Sequence, residues 1–223
     1  MAERTASSDQ RVNEEDLSSL ARKTQQVYER NAEWFAQNRP KALVERPWLD
    51  RFMERLPVPA DILDLGCGSG HPIASYFLDL GHRVVGMDAS RGMIRIARSE
   101  RPRGDWRVGD MRSLDLTERF DGIIGWNSFF HLTQGEQRDV LPHLAGYLRA
   151  RGALLLTVGP EAGEVAGHVG ADPVYHASLS QQEYRDILAG AGLEILAFVA
   201  EDPTCNRQTL LLAQKRADYR SCR

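Results

Sequence analysis

The 223-residue chain has few cysteines, almost no lysine and no long apolar run. Its three cysteines, Cys67, Cys205 and Cys222, form no CxxC pair, and their odd count and wide spacing argue against a disulfide framework and a structural zinc site. The expected setting is a reducing cytosol, with no metal. Apolar stretches such as Ala153 to Leu156 and Ile195 to Ala200 fall far short of the roughly 18 residues that a membrane-spanning helix needs, so no membrane is expected as a partner. Residues 1–19 carry no apolar segment of the kind found in secretory signals and read as a loosely ordered leader. A net charge of -3 gives no general attraction for nucleic acid. Arginine outnumbers lysine 25 to 3, yet Arg91, Arg95 and Arg98 share one helical face opposite Met93, Ile96 and Ala97, the pattern of a solvated amphipathic helix.

What is present is the composition of an ordinary globule, 42% hydrophobic and 26% charged. Residues 20–38 favour a helix with Tyr28, Ala32 and Phe35 at helical spacing, and Pro40 ends it. A second short helix follows Pro47, with Trp48, Leu49, Phe52, Met53 and Leu56 as its apolar stripe. Strand-like and helix-like stretches then alternate from Asp61 to Val158, which predicts a mainly parallel sheet with helices on both faces. After a helix near Ser180 to Ala189, two consecutive strands, Glu194 to Glu201 and Arg207 to Gln214, are joined only by a turn and must be antiparallel. Between them and the alternating region, residues 159–179 are rich in glycine without clear periodicity and read as a functional loop. The expected fold is a Rossmann-like doubly wound α/β sheet with a C-terminal antiparallel hairpin and an N-terminal helical cap.

The strongest local signal is Ile62-Leu63-Asp64-Leu65-Gly66-Cys67-Gly68-Ser69-Gly70, a buried strand running into a glycine loop. Gly66 and Gly68 let the backbone turn sharply and approach a ligand, and Asp88, at the end of the next strand, has a carboxylate that can accept from both hydroxyls of a ribose. Such a loop would also open a dinucleotide site, but the spacing is G-x-G-x-G and the dinucleotide fingerprint is G-x-G-x-x-G. A nucleotide-dependent oxidoreductase therefore stands as an alternative.

With V-V-G-M-D-A-S at 84–90, V-G-D-M at 108–111 and F-D-G-I-I-G-W-N-S at 120–128, the chain resembles the class I methyltransferases that use S-adenosylmethionine. The resemblance covers about Tyr28 to Lys215. It implies that Gly66, Cys67 and Gly68 cradle the methionine portion of the cofactor, with Asp64 orienting its ammonium group and Arg39 pairing with its carboxylate. It further implies that Asp88 and Ala89 bind the ribose, that Met93 packs near the nucleoside, that Asp110 and the Met111 amide hold the adenine edge, that Trp126 and Asn127 complete the wall beside the methionine, and that the N-terminal helix closes over the cofactor with Tyr28. The product would be S-adenosylhomocysteine. One departure is Leu148-Arg149-Ala150-Arg151-Gly152, where the family commonly has L-R-P-G-G; it should alter a turn and leave the site intact.

Methyl transfer is an in-line displacement that needs alignment and exclusion of water, plus a base when the acceptor atom carries a proton. His131 is the candidate base, because it follows the fourth strand at the edge where ligands of open α/β sheets bind. Phe130, His168, Tyr175 and His176 are candidates to line the acceptor pocket. The expected organisation is a leader (1–19), a helical cap (20–56), a methyltransferase core (57–216, with 159–179 as substrate loop) and a tail (217–223). The expected function is O- or N-methylation of a small molecule by a monomer or homodimer. A non-catalytic protein that binds S-adenosylmethionine in a regulatory role is a second alternative.

Overall fold

The structure, a computed structural model, describes residues 14–40 and 42–217. Cys222, most of the expected leader and nearly all of the expected tail lie outside them. Seven strands form one sheet: β1 (Asp61–Leu65), β2 (Arg83–Asp88), β3 (Asp105–Val108), β4 (Phe120–Gly125), β5 (Leu148–Val158), β8 (Leu193–Asp202) and β9 (Gln208–Lys215). Two more, β6 (Gly163–Val169) and β7 (Asp172–Ser178), pair with each other in a separate hairpin. The large sheet runs β3-β2-β1-β4-β5-β9-β8. The first five are parallel, β9 is antiparallel to β5, and β8 is antiparallel to β9. The order reverses direction at β1 and β4, which opens a crevice beyond their carboxyl ends.

Helices α1 (Glu14–Arg30), α2 (Ala32–Asn38) and α3 (Arg46–Met53) precede the sheet. Helices α4 (Ile73–Asp79), α5 (Arg91–Glu100), α6 (Gln134–Tyr147) and α7 (Gln181–Gly190) connect its strands. Because the parallel strands are covered on both faces, they are apolar almost throughout, and the core forms two layers. On one face Leu63, Leu65, Ile123, Leu154 and Leu156 pack against Val140, Leu141 and Leu144 of α6 and Tyr184 and Leu188 of α7. On the other, Ile62, Ile124 and Leu155 meet Trp48, Leu49 and Phe52 of α3, Ala74 and Phe77 of α4, and Ile94 and Ala97 of α5. Local signals fix the helix starts: Ser90 accepts from the Met93 amide, Ser180 accepts from the Glu183 amide, and Thr133 with Glu136 closes a reciprocal capping box on α6.

Three expectations change. The helix expected over 20–38 is two helices interrupted at Asn31, whose side chain bonds back to the Val27 carbonyl and across to Asp172. The first of them starts at Glu14 and so takes in residues expected in the leader, because Leu17 seats against Tyr175 and Ala177. The segment 159–179 is mostly the β6–β7 hairpin: Gly170, at φ 60°, makes the turn, and Val165 faces His176 across the ladder. Its glycines weaken the strand signal, while the packing of β7 on α1 stabilises the strands. In the Leu148–Gly152 departure, Arg151 takes the left-handed φ of 64°, the strand begins at Leu148, and its pairing with β4 slips from Phe120↔Leu148 to Gly122↔Ala153.

Candidate active site

The glycine loop leaves β1 through Gly66, whose amide, like that of Cys67, donates to the Met87 carbonyl of β2. Gly66 has φ 70°, and a Cβ there would collide with Ser128 Cβ; the Ser128 hydroxyl donates to the Leu65 carbonyl at 2.6 Å. The loop is thus clamped between the ends of β1, β2 and β4. Gly68, at φ 56°, faces open space on the side where a Cβ would stand. Its amide donates to one Asp88 oxygen at 2.9 Å, and the Ser90 amide donates to the other at 2.8 Å. Asp88 therefore ties the loop to the start of α5 and keeps further lone pairs for a ligand. Burial pushes its carboxyl above the ordinary value, and those two amides pull it back.

A cavity of about 110 Å³ opens beyond these strand ends. Gly66, Asp88, Ala89, Asp110, Met111, Asn127, His131 and Tyr28, all singled out in the sequence, line it. Asn127 sits at φ 51°, its amide donates to Thr157, and its side-chain oxygen is buried with no hydrogen-bond partner. Asp64 lies beneath the loop, 3% exposed, and no described side chain or amide donates to its carboxylate. Burial pushes it up to about 7, with the Arg39 charge pulling down and that of Asp88 pushing further up. Arg39 itself lines a neighbouring cavity of about 730 Å³ with His71 and Pro72.

His131 stands in a wall of rings. Its Nδ1 lies 2.8 Å from the Tyr175 carbonyl, which can only accept, so Nδ1 carries the proton. The other nitrogen, Nε2, is then the acceptor for the Tyr28 hydroxyl at 2.9 Å. Burial pushes the imidazole down to about 4, aided by nearby His176 and opposed by the Tyr175 carbonyl, so the ring is neutral near pH 7. Ring centroids of Phe130 and His176 lie 4.9 Å from that of His131 and 4.6 Å from each other. Behind this wall a groove of about 470 Å³ runs between Phe130, Val158, the start of β6, His176 and the β8–β9 turn.

Several expected residues stand elsewhere. Trp126 and Met93 are buried in the packing, and Trp126 shares the α3–α5 layer with Cys67. Tyr175 is enclosed against α1 through Leu17 and meets the site through its backbone, its carbonyl accepting from His131 and its amide donating to Thr24. His168 is exposed on β6, opposite Pro173. Sequence reasoning missed Ala21, Thr24 and Gln25, which line the cavity beside Tyr28; the i, i+3, i+4, i+7 spacing of these four was the available signal. It also missed Arg207 in the groove, for which nothing local in the sequence gave a sign, whereas Glu161 and Glu164 there belong to the 159–179 segment expected to line the acceptor pocket.

Residues 62–152 match the family described as a methyltransferase domain. The chain is 26% identical over 137 residues to a probable S-adenosylmethionine-dependent methyltransferase of Mycolicibacterium smegmatis, an alignment covering 60% of this chain and 52% of the relative. The chain spans about half the length of the curated relatives it matches. Its fold is similar to that of the 1,6-didemethyltoxoflavin-N1-methyltransferase of Burkholderia thailandensis, solved with bound 1,6-didemethyltoxoflavin and S-adenosylhomocysteine (TM-score 0.67, 19% identity, 96% of this chain and 93% of that one). It is likewise similar to that of an amino pentose methyltransferase from Micromonospora echinaspora with S-adenosylmethionine bound (TM-score 0.64, 19% identity, 83% and 96%). The residues of the methyltransferase domain fit that cofactor: Asp64 suits an ammonium group, Asp88 a ribose, and the unpartnered Asn127 oxygen a further donor.

Proposed function

We propose that the protein is an S-adenosylmethionine-dependent methyltransferase that acts on a small-molecule hydroxyl or amine. The observation that carries this is the convergence of Gly66, Asp88, Asp110 and Asn127, from four separate sequence motifs, and of His131 just after the fourth, on one cavity at the sheet's switch point. In this reading Asp88 and Ala89 hold the ribose, Asp110 and Met111 the adenine edge, and Asp64 with Arg39 the ammonium and carboxylate of the methionine end. The backbone of Gly66 and Gly68 allows close approach. The bound cofactor supplies a methyl group activated by an adjacent sulfonium. The acceptor approaches from the groove side, against Phe130 and His176, and the ring wall keeps water from the methyl group. His131, neutral and with Nδ1–H fixed on the Tyr175 carbonyl, presents Nε2 as the atom that takes a proton from a hydroxyl or ammonium, once Tyr28 yields that position. The amino pentose and the 1,6-didemethyltoxoflavin named for the two structural neighbours are both small molecules, which supports an acceptor of that class.

Calorimetry with S-adenosylhomocysteine tests the cofactor half. Wild type is expected to bind, and Asp88→Ala to lose about 100-fold or more in affinity, because the substitution removes both the ribose acceptor and the anchor of the Gly68 amide. Unchanged affinity in Asp88→Ala would remove the assignment. Release of S-adenosylhomocysteine across a panel of small amines and alcohols tests the transfer, and tight binding without turnover would favour the regulatory alternative.

A further inference from the structure

The carboxylate of Asp110 is already saturated. Its Oδ1 accepts from the Arg112 amide at 2.9 Å and from Arg112 Nε at 2.9 Å. Its Oδ2 accepts from Arg112 Nε at 3.0 Å, from Arg112 Nη2 at 2.6 Å and from Gln25 Nε2 at 2.6 Å. A carboxylate offers about four lone-pair sites, so a further donor must displace one of these. Arg112 is two residues away, grips both oxygens and also reaches Glu136 at 3.2 Å, so it is the firmly held partner. Gln25 comes from α1, is exposed, and brings a single N–H. That N–H belongs to a planar NH2 group, the same donor that the exocyclic amine of an aminopurine presents.

The helix that carries Gln25 lies across the cavity. One turn further on, Tyr28 bonds to His131, and next to it Glu29 accepts from the Ser90 hydroxyl at 2.7 Å and from the Gly92 amide at 3.2 Å. The Gln25 bond to Asp110 is the fastening of this helix that occupies a group assigned to the cofactor's base.

We propose that Gln25 is an internal competitor for Asp110: the cap helix and the 6-amino group of the cofactor's adenine contend for the same carboxylate, so that entry of the base unfastens the cap at this point. The proposal rests on the cofactor reading above. It makes Gln25 a residue that sets cofactor affinity from outside the methyltransferase motifs, and it predicts a direction opposite to that of an ordinary lining residue, since its removal tightens binding.

The test is calorimetry of wild type, Gln25→Leu and Gln25→Ala with two ligands, S-adenosylhomocysteine and the analogue that carries hydrogen in place of the 6-amino group. The variants should bind S-adenosylhomocysteine about three- to tenfold more tightly than wild type, the range of one hydrogen bond to a partly exposed charge. They should bind the analogue within twofold of wild type, because that ligand leaves the Gln25 bond in place. Equal shifts for both ligands, no shift, or weaker binding of S-adenosylhomocysteine would overturn the proposal while leaving the cofactor reading standing. Failure of wild type to bind either ligand would overturn both. Gln25 is exposed, so both variants are expected to fold, and matching thermal unfolding checks this.

Discussion

On the Asp88 side of the ring wall, the polar groups sit within a few residues of strand ends except for those that α1 lays across the cavity, whereas on the groove side they come from segments far apart in the chain. Gly66, Asp88, Asp110 and Asn127 leave β1, β2, β3 and β4 at the same edge, and parallel pairing alone brings them together. The groove needs the turn after β4, the β6–β7 hairpin and the β8–β9 turn to meet. The hairpin pairs only with itself and is held by α1, through the Thr24 hydroxyl accepting from the Tyr175 amide and through the Arg30 and Asn31 contacts with Asp172. The first side is built into the sheet; the second is docked onto it. A docked surface is free to change its side chains without disturbing the sheet, which suits an acceptor pocket on a shared core.

The contrast predicts a descending series of effects. Gly66→Ala should destabilise the fold by about 3 kcal/mol, because it combines left-handed strain with a collision against Ser128; Gly68→Ala, with open space at its Cβ, should cost only about 1 kcal/mol. Denaturant unfolding of the two variants measures the difference, and equal costs would mean that the loop is not clamped.

His131, on the wall between the sides, should have an intermediate effect that depends on pH. Its pKa lies near 4 in the folded protein and near 6.5 in the unfolded chain, so between those values the unfolded chain binds more protons. Stability from this group is therefore full above about pH 6.5 and is lost as pH falls toward 4. The loss is on the order of 2 kcal/mol once the ring's partial exposure is discounted. His131→Asn should show a correspondingly flatter stability profile across that window, and a profile parallel to wild type would mean that the ring is not held neutral.

The smallest effect is expected at the groove rim. Val165 is 60% exposed, so Val165→Ser should change stability by less than about 0.5 kcal/mol, while raising KM for an acceptor that uses the groove. An unchanged KM beside an unchanged Tm would detach that part of the hairpin from acceptor binding.

The same contrast explains what was legible in the sequence. The ends of β1, β2 and β3 have functional groups within two residues, so finding the strand finds the group. In the sequence the hairpin reads as a loop because Gly163, Gly167 and Gly170 interrupt a strand pattern that only packing against α1 completes. Trp126 directly follows β4 and looked like a wall residue; the alternation of side chains at the strand end turns it into the α3–α5 layer instead. Tyr28 was marked as a candidate, but its partner His131, 103 residues away, could not be read from spacing.

By itself, the sequence determined the alternation of strands and helices, the glycine loop, and the acids that end β2 and β3, because each depends on residues within one turn or one strand. Only the tertiary structure decided the tautomer and neutral charge of His131, the pairing of Gln25 with Asp110, and the groove between hairpin and sheet. These depend on burial and on donors and acceptors brought together from distant parts of the chain, and burial and hydrogen bonding together set the charge and the partners of a polar group.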